Sequence, residues 1–136
     1  MDSWPDLKDV TALIVDDDRE TRDLFGEILT LQGARVVSAA SAAEAFDIVQ
    51  RESVDVIVMD IGMPNENGFS LLARIRALET AKAVPPTPAV AVTAYAGASA
   101  RAEAQRAGFA AYLSKPTPPD DVLSAIRQVL APTRRI

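Results

Sequence analysis

The 136-residue sequence predicts an α/β domain, a doubly wound parallel sheet of five strands with five helices. Three observations predict it. Short β-branched runs alternate with longer segments of helical period, which is the pattern of strands joined by helical crossovers. Several of the runs are apolar without interruption, as expected for strands covered on both faces. Carboxylates stand at the ends of two of these runs, Ile14-Val15-Asp16-Asp17 and Val56-Ile57-Val58-Met59-Asp60. In a doubly wound sheet the carboxyl ends of the strands are where ligands bind.

The predicted strands are Thr11–Val15, Arg35–Ala39, Val54–Asp60, Ala89–Thr93 and Ala110–Ser114. Between them Leu24, Ile28 and Leu31 keep a helical period, as do Ala42, Ala45, Phe46 and Val49, then Leu71, Ile75 and Leu78, and finally Val122, Ile126 and Val129. Asp18 and Glu20 suit the N-terminus of the first helix, where acids complement the dipole, and Gly33 suits its C-terminus. Ser41 with Glu44 forms a capping box before the second helix, and Thr117-Pro118 reads as N-cap and first helical residue of the last. The fourth helix, about Ala98 to Ala107, is rich in Ala and Arg and has no large apolar stripe, so weak packing is expected. Val84-Pro85-Pro86-Thr87-Pro88 reads as a stiff, extended linker, and Asn65-Glu66-Asn67-Gly68 as a loop closing strand three.

Composition excludes whole classes of chemistry. With no Cys there is no disulfide framework, zinc-thiolate site or cysteine nucleophile, and with no His there is no imidazole base, Ser-His-Asp triad or histidine metal site. Chemistry must run on carboxylate, hydroxyl and ammonium groups. A net charge of −5, with no basic cluster larger than Arg134-Arg135, argues against nucleic acid and anionic membranes as partners of this domain. No apolar stretch approaches the roughly eighteen residues a spanning helix needs, and Met1-Asp2-Ser3-Trp4-Pro5-Asp6 has no apolar core of a signal peptide. The expectation is a single domain over 1–136, with its core at about 10–131, in the cytoplasm.

An ionised carboxylate is costly to desolvate unless a cation or donors compensate it, so three acids at the ends of two core strands point to a site for a hard cation. The other strand ends add Thr93 and Ser114-Lys115. Lys115 is one of only three lysines, with Lys8 and Lys82, and it directly precedes Pro116, which restricts its backbone. Singly each of these residues has an ordinary explanation, as a cap, turn, strand residue or surface cation; their convergence on one sheet edge does not.

The motifs, taken in order, resemble those of the receiver domains of two-component response regulators: Val15-Asp16-Asp17, Met59-Asp60 followed by Met63-Pro64, Gly68, Val92-Thr93-Ala94, Gly108, and Tyr112-Leu113-Ser114-Lys115-Pro116. The resemblance covers nearly the whole chain and implies a flavodoxin-like strand order 2-1-3-4-5. It implies that Asp60 is the phosphoacceptor, that Asp17 is the principal metal ligand, that Asp16 acts on the metal mainly through water, and that the backbone carbonyl of Gly62 completes the set. The hard, oxygen-only set suits Mg²⁺, with Mn²⁺ as a substitute. Thr93 and Lys115 would meet the phosphoryl oxygens, Thr93 and Tyr112 would form the switch, and the Lys115-Pro116 bond would be cis. The phosphodonor would be a histidine kinase or a histidine phosphotransfer protein, and the output a changed affinity of the face made by helix four, strand five and helix five for an unidentified downstream protein. The protein would then be a signalling phosphoacceptor that assists its own phosphorylation and dephosphorylation, and not an enzyme with a separate substrate.

The pattern has departures. Gly62 has no side chain to orient a hydrolytic water, and Tyr95 is large enough to obstruct one, so a slowly hydrolysing phosphoform is expected. Two other readings compete. A haloacid-dehalogenase-type phosphohydrolase would also use Asp, Thr and Lys with Mg²⁺, but its Asp-x-Asp motif after strand one would start at Asp16 and end on Glu20, where Thr or Val belongs. A flavodoxin-like binding module would need a phosphate-holding turn where three acids stand. The chain reads either as a stand-alone receiver or as a receiver portion of a larger protein such as a hybrid kinase.

Overall fold

The computed structural model describes residues 7–94 and 97–130. Its elements run β1 (Thr11–Val15), α1 (Arg19–Leu31), β2 (Arg35–Ala39), α2 (Ala42–Arg51), β3 (Val56–Met59), α3 (Gly68–Lys82), β4 (Ala89–Thr93), α4 (Ala98–Ala107), β5 (Ala111–Ser114) and α5 (Pro119–Leu130). All strand pairs are parallel, in the order β2-β1-β3-β4-β5. Strand order therefore reverses between β1 and β3, and the ends of those two strands carry the acids.

The strands are buried on both faces because alternate residues feed two cores. Leu13, Val15, Ile57, Met59, Ala89, Ala91 and Tyr112 pack with α2, α3 and α4. Ala12, Ile14, Val56, Val58, Val90 and Val92 pack with α1 and α5. Within α4 only Ala100 and Ala104 are buried, which is the weak packing expected of that helix. Among the described residues no helix is long and apolar enough to cross a membrane.

Local signals act largely as the sequence predicts. Ser41 Oγ accepts from Glu44 N at 3.2 Å, while Glu44 reaches back to accept from Ala40 N at 2.6 Å. Gly33 takes the positive φ of 97° that ends α1. Asp18 is the N-cap residue of α1, but its carboxylate accepts from the Thr21 hydroxyl at 2.6 Å and not from a backbone N–H.

Three expectations change. The last helix starts at Pro119 rather than Pro118, because a residue that precedes proline is kept out of the helical region and Pro118 precedes Pro119. The third strand is shorter than predicted, since the Asp55 carboxylate turns to accept from Thr11 N at 2.8 Å before the ladder begins. The segment read as a plain loop, residues 65–68, starts a helix: Asn67 is the N-cap of α3 and accepts from Ser70 N at 3.0 Å.

Gly68 is required by close approach. A Cβ there would lie 2.8 Å from Ile61 Cα, 3.0 Å from the Asp60 carbonyl oxygen and 3.1 Å from Met59 Sδ. Two of these contacts are backbone and cannot swing aside. Gly68→Ala is therefore expected to cost about 1–3 kcal/mol, the range for overpacking a dense interior. A urea midpoint equal to wild type would contradict this.

Candidate functional site

The reversal of strand order brings the ends of β1, β3, β4 and β5 to one edge. Asp16 follows β1 and is 3% exposed; Asp60 follows β3 and is 8% exposed. Their backbones are pinned by the sheet, Asp16 N donating to Ala39 O at 3.1 Å and Asp60 N to Val15 O at 2.9 Å. Thr93, the last residue of β4, is buried, and its carbonyl accepts from Lys115 N at 2.8 Å. The Lys115-Pro116 peptide bond is cis, as the resemblance implies.

Lys115 then reaches back across the sheet. Its Nζ donates to Asp16 Oδ2 at 2.8 Å and to Asp60 Oδ2 at 3.2 Å. The other carboxylate oxygens are held by local backbone, Asp16 Oδ1 by Asp18 N at 2.9 Å and Asp60 Oδ1 by Gly62 N at 3.0 Å. Asp17 is exposed, and one carboxylate oxygen each from Asp16, Asp17 and Asp60 lies within 4.8 Å of the others.

This cluster fits a divalent cation by its chemistry. The donors are all hard oxygens, and three carboxylates against one ammonium leave two negative charges for a cation to balance. Burial pushes the Asp16 carboxyl above the ordinary aspartate range, and the hydrogen bond and charge of Lys115 only partly oppose it. Burial would pull the Lys115 ammonium down, but its hydrogen bond to Asp16 and the charges of Asp60 and Asp16 outweigh that and raise its pKa. Outside the cluster, the Thr21 hydroxyl holds exposed Asp18 below its usual value.

Of the other sequence-predicted residues, Gly62 is exposed, and a Cβ there would have only Asp60 Oδ1 near it, at 3.8 Å. Tyr112 is buried in β5, and the Arg101 guanidinium lies 4.9 Å from its ring centroid. Tyr95 lies outside the described residues. Sequence reasoning missed Arg22, whose Nη1 donates to the Asp16 carbonyl oxygen at 2.8 Å. An arginine one turn into the helix that follows the acids is the available signal.

Comparison with known proteins decides the family. The model of the response regulator receiver domain matches residues 12–127. The chain belongs to the response regulator receiver domains. It is 39% identical over 122 residues to an "Uncharacterized 14.6 kDa protein in sodA1 3'region" of Leptolyngbya boryana, covering 90% of this chain and 91% of that one. It is 33% identical over 123 residues to the transcriptional regulatory protein GlrR of Escherichia coli K12, but spans only 27% of that longer protein. Among solved structures, a CheY-like receiver domain protein from Methanospirillum hungatei JF-1 superposes with a TM-score of 0.82 at 30% identity, covering 93% of this chain and 97% of that one. The receiver fold and the acidic pocket together fit a phosphoacceptor site, and the phosphohydrolase and flavodoxin-like alternatives are not favoured.

The raised Asp16 value gives a prediction for the receiver's stability. An acid whose folded pKa lies above its unfolded value favours the fold while protonated, and that advantage disappears as pH rises from about 3.9 through the folded value. At neutral pH the ionised Asp16 therefore weighs against the fold. Asp16→Asn is expected to raise stability at pH 7 by about 0.5–2 kcal/mol and to flatten its dependence on pH above about 4. A lower thermal midpoint at pH 7 would reject this.

Proposed function

We propose that the domain accepts a phosphoryl group on Asp60 from a phosphohistidine of a histidine kinase or histidine phosphotransfer protein. The reading is carried by one observation: three carboxylates and the Lys115 ammonium are gathered at the strand-order reversal, with Asp60 Oδ2 and Asp16 Oδ2 sharing that ammonium. An Asp60 carboxylate oxygen would attack phosphorus, forming an acyl phosphate as the P–N bond to the donor imidazole breaks; the imidazole leaves with the bonding pair and takes up a proton. Such transfer depends mainly on positioning and on neutralising charge.

Asp17, Asp16 and the Gly62 carbonyl, with Asp60, would hold Mg²⁺, or Mn²⁺ in its place. When bound, the ion would neutralise negative charge on the transferred group. Lys115 would exchange part of its contact with Asp60 for a phosphoryl oxygen, and the Thr93 hydroxyl would bind another. The donor's approach is supported by a cleft of about 410 Å³ beside Lys115, between Leu24 and Phe25 of α1 and Pro116 and Thr117. Open space over Gly62 leaves no side chain there to orient a hydrolytic water, which supports a long-lived phosphoform. Such a receiver signals in the cytoplasm by protein contact rather than by turning over a substrate or binding nucleic acid.

The switch would run from Thr93 to Tyr112. By strand alternation the two share one face of the sheet, and the register pairs Thr93 with Ser114 and Ala91 with Tyr112. Small Ala91 leaves the ring its space, and Arg101 covers it from α4. Movement of Thr93 toward a phosphoryl group would strengthen the inward seat of the ring and so reshape the surface of α4, β5 and α5.

Two measurements test these statements. After incubation with a small phosphodonor and Mg²⁺, mass spectrometry should show one added phosphoryl group on wild type and none on Asp60→Asn; equal labelling would refute the proposal. Arg101→Ala should cost about 0.5–1 kcal/mol in wild type and almost nothing in Tyr112→Leu. Equal costs in a double-mutant cycle would break the proposed link between α4 and the ring.

A further inference from the structure

Asp16 is held at every polar atom. Its N–H donates to Ala39 O at 3.1 Å, Oδ1 accepts from Asp18 N at 2.9 Å, Oδ2 accepts from Lys115 Nζ at 2.8 Å, and its carbonyl oxygen accepts from Arg22 Nη1 at 2.8 Å. The last bond differs from the others because it acts on the following residue. The Asp16 carbonyl and the Asp17 N–H belong to one planar peptide unit, so fixing the oxygen fixes the plane from which Asp17 Cα projects. Asp17 needs such a constraint: it is exposed, and among the described residues no hydrogen bond or ion pair holds its carboxylate. Arg22 is itself anchored, since its backbone N–H donates to Asp18 O at 3.1 Å in the first turn of α1. Its side chain is half-buried, and the guanidinium closes a ring from helix to loop to strand end.

We infer that Arg22 is a positioning residue of the acidic site, holding the Asp16–Asp17 peptide so that Asp17 is aimed at the cation, and thereby setting the site's affinity for a divalent ion. The inference rests on the proposed function for the identity of the site, and deepens it. It has an unusual signature, because two effects of Arg22 oppose each other. As a positive charge beside three acids, Arg22 repels a second cation, so its removal through charge alone would tighten binding of Mg²⁺. As the support of a ligand-bearing peptide, its removal would weaken binding, in the manner of outer-shell groups that orient metal ligands. The sign of the change separates the two roles.

The experiment is a calorimetric Mg²⁺ titration of the full chain as wild type, Arg22→Ala and Arg22→Lys, with thermal midpoints measured alongside. Arg22→Ala should weaken Mg²⁺ binding by about 5- to 20-fold, below or within the range for lost outer-shell support. Arg22→Lys, which keeps the charge and one donor, should fall between. In the metal-free protein, Arg22→Ala should also speed amide exchange at Asp18, whose N–H is bonded to Asp16. Unchanged or tighter Mg²⁺ binding in Arg22→Ala overturns the inference, as does a loss in Arg22→Lys equal to that in Arg22→Ala. If Arg22→Ala does not fold, the comparison of Arg22→Lys with wild type decides: equal affinity overturns the inference and weaker affinity supports it. Labelling of wild type at Asp60 is scored separately. Weakened Mg²⁺ binding in the variant without any label on wild type would reject the phosphoacceptor reading and leave Arg22 in its role, whereas a wild type that binds no Mg²⁺ rejects both.

Discussion

The arrangement depends on one ammonium group placed between two buried carboxylates. Asp16 and Asp60 stand at strand ends that the sheet closes off from water, and close like charges in such a medium repel by several kcal/mol even at a moderate effective dielectric. Lys115 offsets this by bonding to both, at 2.8 and 3.2 Å. Its partners lie 99 and 55 residues away in sequence, so the compensation exists only once β1, β3 and β5 have all joined the sheet. The site is thus completed by the last strand, and an incomplete sheet would leave its acids without their counter-charge.

The same sheet divides two tasks between its faces. The face toward α1 and α5 is built largely of Val, Ile, Leu and Phe side chains. On the other face Leu13, Ile57, Met59, Leu71, Leu72 and Ile75 pack under α2 and α3, whereas α4 itself buries only Ala100 and Ala104, near Phe109 and Tyr112. Alanine supports a helix but buries little, so α4 is held to the sheet more by the Tyr112 ring and its Arg101 cover than by a deep apolar stripe. Under the proposed switch, a helix so lightly attached would be the part of the molecule that a small displacement of Thr93 moves at least cost.

Much of this was legible in the sequence because the relevant signals are local. Apolar runs marked the strands, Ser41 with Glu44 and Gly33 marked helix ends, and the acids at strand ends declared themselves because carboxylates are rare in such places. What was not legible has a common cause. The start of α5 was misplaced because two adjacent prolines both suit a first turn, and only the restriction that the second places on the first decides between them. The capping role of Asn67 was hidden in a polar stretch that reads equally well as a plain loop. Arg22 and Arg101 were missed because their partners, a carbonyl and a ring, are set by how α1 and α4 dock, and sequence spacing carries no trace of a guanidinium's direction.

Charge arithmetic would connect the site to the proposed switch. Three carboxylates and one ammonium leave two negative charges, which a divalent cation would balance. An acyl phosphate on Asp60 would replace one negative charge by nearly two, so the balanced site becomes negative by about one unit and gains oxygens that seek donors. Lys115 already lies at Asp60 and needs only a small change of partner. Thr93 is a buried hydroxyl at a strand end, on the Tyr112 face of the sheet. On the proposed function, the imbalance would be met first by a cation that hardly moves and then by a hydroxyl whose movement would vacate space beside Ala91 and Tyr112, so that a change of charge at one strand end would become a change of packing under α4.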